Sequence, residues 1–224
     1  MGAPDYRMTD DEVWSAIATQ RAAFLDLVTG LDPDDWSRPS LCAGWRVHDV
    51  AAHLTLAPAS RPRDLVLPLL RARGDFDRMM DDVTRRSAAR SREEILDDLR
   101  RAVGSRHLAP GTSPRVALVD ALVHALDVAV PLGVDHPVPP LPGREAAERV
   151  WCVSFPFRAR RRLAGFRLVA TDAPWQRGTG PPVTGQVGAL LLLLTGRPAA
   201  LARLHGGGAD LLSGTRAART EEAP

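Results

Sequence analysis

Four segments of the chain carry apolar residues at helical spacing. Thr9 and Glu12 form a capping-box pattern that opens the first segment, and Gly30 is its natural end. Its apolar face comprises Val13, Ile17, Phe24, Val28 and Leu31. A second helix is predicted to start near Arg46. Its inner face comprises Val47, Val50, Ala51 and Leu54.

Two more helices follow after an interrupted segment. Ser91 and Glu94 repeat the capping-box pattern and open a third helix. Ser113 and Pro114 open a fourth, which we expect to end at Pro131. Prolines and a glycine interrupt residues 58–90, which predicts a loop before helix resumes near residue 75. None of these amphipathic helices can bury its apolar face alone, so we predict a four-helix bundle over residues 8–136.

The pattern changes after a connector, PLGVDHPVPPLPG, that contains five prolines. A short helix is expected near Arg144–Val153, and FRLVAT alternates apolar and polar residues like a half-buried strand. RGTGPPVTG and LHGGGADLL are interpreted as turns, and residues 186–195 as an apolar helix. We therefore predict a mainly α protein whose bundle is followed by a small α+β domain over residues 144–216.

Composition and charge narrow the possible partners. The chain has 224 residues, 45% hydrophobic and 25% charged, with a net charge of +2, which is typical of a soluble globular protein. That charge gives no reason to expect nucleic acid or an acidic membrane as a partner. Arg158–Arg162 is either a site for an acidic ligand or, as we prefer, a solvated basic face. All basic side chains are arginines, so no lysine is available for Schiff-base chemistry.

Several features predict a cytoplasmic location. We also expect the protein to be a monomer or a homodimer. The chain has only two cysteines, which favours a reducing compartment. MGAPDYRMTD lacks the apolar core of a signal peptide. The longest apolar run, Val187–Leu194, is far shorter than the ~20 residues that cross a bilayer, so we interpret it as a buried helix.

The predicted fourth helix, LVDALVHALDVAVPLG, carries the polar residues of most interest. Asp120 and His124 are four positions apart and so share one helix face. His53, on the second helix, is the best candidate for a third ligand. Two histidines and a carboxylate inside a bundle suit Zn²⁺ with a fourth position left open. From spacing alone, histidines hydrogen-bonded within a core remain the slightly favoured alternative.

Three segments resemble the signatures of the mycothiol-dependent maleylpyruvate isomerase family, whose members are related to the DinB-like bundles. LCAGWRVHDVAAHL resembles the first signature, a Trp followed by D-x-x-x-H-L, here Trp45, Asp49, His53 and Leu54. LVDALVHALDVAVPLG resembles the second signature, and VTGQVGALLLLLTGR the C-terminal one, which ends in Arg197. The resemblance spans nearly the whole chain, with the signatures in the expected order.

This resemblance implies a fold, a ligand set and a chemistry. The fold is a DinB-like four-helix bundle followed by a small C-terminal α+β domain. His53, His124 and Asp120 are the implied ligands of Zn²⁺ or another divalent metal, and Asp120 stands where the family commonly has Glu. Mycothiol is the implied thiol cosubstrate, for thiol transfer or cis–trans isomerisation of a small electrophile. A non-catalytic metal-binding or regulatory module is the alternative.

Other polar residues have more than one interpretation. Asp127 and Asp49 could each orient an imidazole or lie on the surface; we favour the orienting role for Asp127 and leave Asp49 open. The resemblance implies that Arg197 holds an anionic group of the substrate, whereas its position after a helix equally suits a C-terminal cap. Cys42 and Cys152 are interpreted as buried structural thiols. Tryptophans are expected in the core rather than in a pocket; they include Trp36, Trp45 and Trp175.

Overall fold

The computed structural model describes residues 7–56, 83–85, 87–108 and 112–221. The chain divides into two compact units. One runs from Thr9 to His136, and the other joins the residues before Thr9 to those from Pro137 onward. The predicted start of a helix near residue 75 lies outside the described residues, whereas residues 83–85 are described and helical. The limits 8–136 and 144–216 stay our predicted domain limits.

The described part of the first unit contains four longer α-helices. They are α1 (Asp10–Thr29), α2 (Val47–Leu54), α3 (Arg92–Ala102) and α4 (Pro114–Leu132), with a 3-10 helix (Pro33–Ser37) between the first two. Both capping boxes are confirmed, since Thr9 and Ser91 each accept a hydrogen bond from the backbone of the glutamate three residues later. The predicted bundle is therefore observed.

The bundle core lies where α1 and α2 each pack against α3 and α4. Its buried apolar residues are Phe24, Val28, Trp36, Val47, Val50, Ala51, Ala52, Leu54, Ile95, Leu96, Leu99, Ala125 and Val128. The apolar faces expected for the first two helices supply six of them. Burial of this surface provides the main driving force for the association of the helices.

Helix α4 does not end at Pro131 as predicted. It continues to Leu132 and stops at Gly133, whose φ of 71° is the left-handed conformation that glycine favours at helix ends. Pro131 is tolerated in the last turn, although it has no N–H to donate to the carbonyl of Asp127 four residues earlier. That carbonyl instead accepts a hydrogen bond of 2.9 Å from the N–H of Leu41.

The second unit combines helices with a three-stranded sheet. The helices are α5 (Pro140–Cys152), α6 (Ala159–Arg162), α7 (Val187–Leu194), a 3-10 helix (Pro198–Arg203) and α8 (Gly207–Glu221). The strands are β1 (Arg167–Ala170), β2 (Gln176–Gly178) and β3 (Pro182–Gly185). Their order is β2-β1-β3, with β2 antiparallel and β3 parallel to β1. The predicted C-terminal α+β part is therefore present.

Two interpretations of glycine-rich segments as turns were wrong. RGTGPPVTG contains the end of β2 and all of β3, because backbone pairing with β1 does not require apolar side chains. LHGGGADLL contains the start of α8. Gly206, with φ 99°, turns the chain there, and its carbonyl accepts the N–H groups of Ala209 and Asp210.

Helix α7 is the buried helix that the sequence predicted. All eight of its residues are buried, and Asp172 Oδ1 accepts the N–H of Val187 at its start. Arg162 donates to the carbonyls of Leu193 and Leu194 at its end. One arginine of the basic run thus caps a helix rather than facing solvent alone. None of the described helices is both long and apolar enough to span a membrane.

Candidate metal centre

Helices α2 and α4 bring three predicted ligand residues to one point. His53 lies on α2, while Asp120 and His124 lie one turn apart on α4. Asp120 Oδ1 is 3.3 Å from His53 Nε2 and 3.4 Å from His124 Nε2. All three donor atoms lie within 4.8 Å of one another. The third residue comes from a distant segment only because α2 packs against α4.

The spacing of these atoms fits a divalent cation. Ligands about 2.0–2.1 Å from a tetrahedral zinc ion lie about 3.3–3.4 Å from one another. The two separations measured from Asp120 Oδ1 match that value. Imidazole nitrogen and carboxylate oxygen are also ligands that zinc accepts. By both distance and chemistry, the residues present fit such an ion.

The electrostatics of the cluster keep Asp120 charged. Burial alone would raise the pKa of Asp120, but the neighbouring His53 and His124 outweigh it and hold the pKa far below its usual value. Burial likewise acts to lower the pKa of His124, and hydrogen bonds with Asp120, Asp127 and Cys42 raise it well above its usual value. The Asp120 side chain is still 33% exposed, so the cluster is reached by solvent.

Asp127 lies on the far side of the His124 ring from Asp120. Its Oδ2 is 2.9 Å from His124 Nδ1, and the residue is 0% exposed. A carboxylate can only accept, so Nδ1 carries the proton of this bond and Nε2 faces Asp120. This is the contact expected of a residue that orients a ligating imidazole.

Asp49 has a different partner. Its Oδ2 accepts the backbone N–H of Arg46 at 2.8 Å and the guanidinium Nε at 3.2 Å, which caps the start of α2. Burial acts to raise the pKa of Asp49, but the hydrogen bonds from Arg46 lower it.

The two ring nitrogens of His53 face Asp120 and, at 3.4 Å, the hydroxyl of buried Thr84. Thr84 was not among the predicted site residues, because the prolines and glycine earlier in residues 58–90 leave the helical register of this segment undetermined.

Cys42 and Trp45 also border the cluster. The Trp45 ring centroid is 5.2 Å from that of His53 and 6.2 Å from that of His124, with an interplanar angle of 19° to the latter. Cys42 Sγ lies 3.0 Å from Asp127 Oδ2. Cys42 is half-buried and Cys152 is exposed, so the prediction of two buried structural thiols was wrong. Cys42 and Trp45 both lie in the segment LCAGW, which the sequence analysis included in a family signature. Their contacts with the cluster were not predicted, because a loop has no regular repeat from which side-chain contacts can be derived.

Trp36 and Trp175 are both 4% exposed, as expected of core tryptophans. Trp45 instead lines a cleft of about 320 Å³ beside the cluster. The other residues around this cleft are Gly44, Arg46, Asp49, Thr84, Arg85, Ala88 and Ala89. The cleft gives the bundle a concave surface that shares Thr84 and Trp45 with the surroundings of His53.

Arg197 lies in the second unit, at the start of the 3-10 helix that follows α7. Its Nη1 donates to the carbonyl of Thr195 at 2.9 Å, and its backbone N–H donates to that of Leu192 at 2.8 Å. These contacts are those of a C-terminal helix cap, one of the two roles considered from the sequence. Its role toward a substrate stays a prediction.

The fold and the cluster define a class of protein, a helical bundle with a His–Asp–His centre between two helices. Residues 17–110 match the family model described as the mycothiol maleylpyruvate isomerase N-terminal domain. Residues 17–110 are therefore similar to the N-terminal domain of the mycothiol-dependent maleylpyruvate isomerase family, and the family resemblance found in the sequence is confirmed.

Two solved structures share the fold. One is a mycothiol-dependent maleylpyruvate isomerase, with a TM-score of 0.62 and 11% sequence identity; the match covers 89% of this chain and 93% of that chain. The other is a histidine-to-alanine mutant of a mycothiol-dependent maleylpyruvate isomerase, with a TM-score of 0.61 and the same identity and coverage. At this identity the likeness establishes the fold alone. Comparison with curated protein sequences gives no significant match.

Proposed function

We propose that the protein is a divalent-metal-dependent enzyme that activates a low-molecular-weight thiol. His53, Asp120 and His124 hold the metal, most simply zinc, and the thiol is mycothiol. The observation that carries the proposal is the convergence of one carboxylate oxygen and two imidazole nitrogens at separations of 3.3 and 3.4 Å. The family match and the fold of the two isomerases support the choice of thiol.

The metal would supply one chemical property, the conversion of a bound thiol into its more nucleophilic thiolate at neutral pH. The chain's own residues provide the setting. Asp127 accepts a hydrogen bond from Nδ1–H of His124, so Nε2 is the ring nitrogen that would bind a metal. Asp120 is one methylene shorter than the glutamate common in the family, and its position on α4 still brings Oδ1 within reach of both imidazoles.

The substrate of the proposed reaction is a small electrophile with an anionic group. Arg197 is the residue we assign to that group, because a guanidinium pairs with a carboxylate through two parallel hydrogen bonds. The assignment of Arg197 rests on its motif. We further propose a cytoplasmic protein, monomeric or homodimeric, with no nucleic-acid or membrane partner.

Two reactions are compatible with a thiolate at this centre. In cis–trans isomerisation the thiol adds to the electrophile and leaves again after bond rotation, whereas in thiol transfer it stays on the product. Mass spectrometry separates them: an isomerase leaves the substrate mass unchanged, and a transferase adds the mass of the thiol. The substrate for this assay is a small cis-configured unsaturated carboxylate.

Calorimetric titration tests the proposal. Zinc-loaded protein is titrated with mycothiol and, in parallel, with glutathione, and both titrations are repeated with His53→Ala. We expect heat from mycothiol binding to the native protein, a weaker response to glutathione, and loss of zinc and of both signals in the variant. Negligible heats for both thiols with zinc retained would instead favour a non-catalytic metal-binding module. A metal-free protein that ignores added zinc would contradict both.

A further inference from the structure

We propose that Cys42 is a positioning residue of the candidate metal centre. Its thiol holds the Asp127 carboxylate against Nδ1 of His124, and this contact fixes the ring with Nε2 facing Asp120. The inference rests on the proposed function, because it takes His124 as a metal ligand. The proposed role of Cys42 applies to the metal-free protein as well as to the metal-bound protein, because all the contacts involved are between residues of this chain.

Three polar atoms meet at one carboxylate oxygen. Asp127 Oδ2 is 3.0 Å from Cys42 Sγ and 2.9 Å from His124 Nδ1, and the sulfur lies 3.6 Å from that same nitrogen. Since a carboxylate can only accept, the thiol and the ring N–H both donate to Oδ2. The thiol therefore acts on the ring through the carboxylate and also by its own contact with Nδ1.

The backbone explains how the thiol comes to this place. Pro131 has no N–H, so the carbonyl of Asp127 is left without its partner within α4 and accepts the N–H of Leu41 instead, at 2.9 Å. This bond anchors the residue next to Cys42 on the same Asp127 whose side chain the thiol contacts. The helix and the loop are thus joined at both the backbone and the side chain of Asp127.

The loop itself is held on both sides of the thiol. The N–H of Cys42 donates to Ser40 Oγ at 3.1 Å, and its carbonyl accepts the N–H of Trp45 at 3.0 Å. The Trp45 ring in turn stacks on that of His124. A side chain anchored in this way has little freedom to leave Asp127, which is what a positioning role requires.

Burial gives the thiol its importance. Asp127 is 0% exposed, so bulk water has little access to replace a donor that is removed from its carboxylate. Without the thiol, we expect the carboxylate and the His124 ring to sample more orientations. Changes in the partners that orient ligating histidines typically lower metal affinity by about 10–100-fold.

The test uses the fact that the chain has only two cysteines. Cys152→Ser removes the exposed cysteine of the other unit and serves as the background and the control. Cys42→Ala and Cys42→Ser are compared in it, because serine keeps a donor and alanine does not. The zinc dissociation constant is measured by competition with a chromophoric chelator. We expect a rise of about 10-fold for alanine and less than about 3-fold for serine.

A second measurement uses the metal-free protein. The Nδ1 proton of His124 is followed by NMR, and we expect its exchange with water to be at least about 10-fold faster in the alanine variant than in the control, with serine restoring protection. Equal exchange rates overturn the proposal, whatever the zinc affinities. If the wild type binds no zinc, the proposed function fails while this comparison still decides the role of Cys42.

Reversible modification covers the case in which the alanine variant does not fold. Methyl methanethiosulfonate converts the Cys42 thiol of the folded Cys152→Ser protein into a methyl disulfide, which removes the donor, and dithiothreitol restores it. We expect the Nδ1–H exchange to accelerate on modification and to recover on reduction. Unchanged exchange after complete modification contradicts the proposal.

Discussion

Two largely buried helices, α7 and α4, differ in the side chains that they carry: those of α7 are all apolar, whereas α4 includes a cluster of polar side chains. In α7 all eight residues are apolar or glycine and all are buried. Only its ends need polar partners, which Asp172 and Arg162 supply. Helix α4 is also largely buried, yet Asp120, His124 and Asp127 lie on it.

This difference indicates that the polar side chains in the bundle interior serve ligand binding rather than stability. Burying a charged or polar side chain costs free energy unless it is hydrogen-bonded, and a hydrocarbon core avoids that cost altogether. In α4 the polar groups contact one another, His53 and Cys42. The fold alone gives no reason for such a cluster, whereas ligand binding does. We therefore expect substitutions in α7 to act on stability and those around α4 to act on metal affinity.

The largest expected effect is on the stability of the apolar helix. Leu190→Ala removes a side chain that is 0% exposed, and we expect a loss of about 2–5 kcal/mol in the free energy of unfolding. Urea denaturation measures this loss. Leu211→Ala, at a residue that is 55% exposed, is the control and is expected to change stability by less than about 0.5 kcal/mol. A loss below about 1 kcal/mol for Leu190→Ala would mean that α7 is not packed as described.

The next effect concerns the ligand cluster. His53→Ala removes one of the three donors, and we expect zinc affinity to fall by more than about 100-fold, because even outer partners of ligands typically contribute about 10–100-fold. Zinc content and competition titration measure it. His107→Ala, at an exposed histidine of the same unit, is the control and should keep native affinity. Native zinc content in His53→Ala would refute the ligand assignment.

A smaller effect separates the two aspartates that the sequence proposed as partners of the histidines. Asp127→Asn alters the acceptor that contacts His124 Nδ1, and we expect zinc affinity to fall by about 10–100-fold. Asp49→Asn acts on a side chain bonded to Arg46, so zinc affinity should change by less than about 3-fold. Competition titration of both variants provides the comparison, and equal losses would contradict the distinction.

The smallest effect concerns a carboxylate of the second unit. Burial acts to raise the pKa of Glu148, but hydrogen bonds from Arg177, Trp175 and Cys152 outweigh it and lower the pKa. A lowered pKa stabilises the fold above the ordinary carboxyl pKa, and the gain is lost as pH falls through the folded-state pKa. The side chains of Glu148 and Arg177 are 35% and 39% exposed. We therefore expect the interactions of Glu148 to contribute less than about 1 kcal/mol to the free energy of unfolding.

Urea denaturation between about pH 6 and about pH 3 tests this expectation. Wild-type protein should lose stability relative to Glu148→Gln as the pH falls. Glu93→Gln, at an exposed residue of the other unit, is the control and should follow the wild type. Identical pH profiles for wild type and Glu148→Gln would show that the hydrogen bonds around Glu148 do not stabilise the fold.

Regular patterns made the bundle predictable, and irregular segments limited the rest. The helices that begin after Thr9 and Ser91 were predicted correctly, because a capping box depends on residues only three positions apart. The end of α4 was misplaced at Pro131, because a proline within the last turn is tolerated when another segment donates to the freed carbonyl. Strand β3 was missed because its pairing with β1 is a long-range backbone contact.

The same division applies to the candidate site. Asp120 and His124 could be paired from the sequence, since four residues make roughly one turn of a helix. His53 was assigned through the family resemblance and the expected bundle. Thr84 and the contacts of Cys42 could not be found, because loops and interrupted segments have no periodicity that fixes where a side chain lies.

The sequence by itself determined which helices form and which residues share a helix face, because both depend on neighbours within a few positions along the chain. Only the tertiary structure decided that His53 meets Asp120 and that Cys42 reaches Asp127. Those contacts depend on how α2 and the loop before it pack against α4. Packing sums many weak contacts between distant segments, and no local pattern encodes that sum.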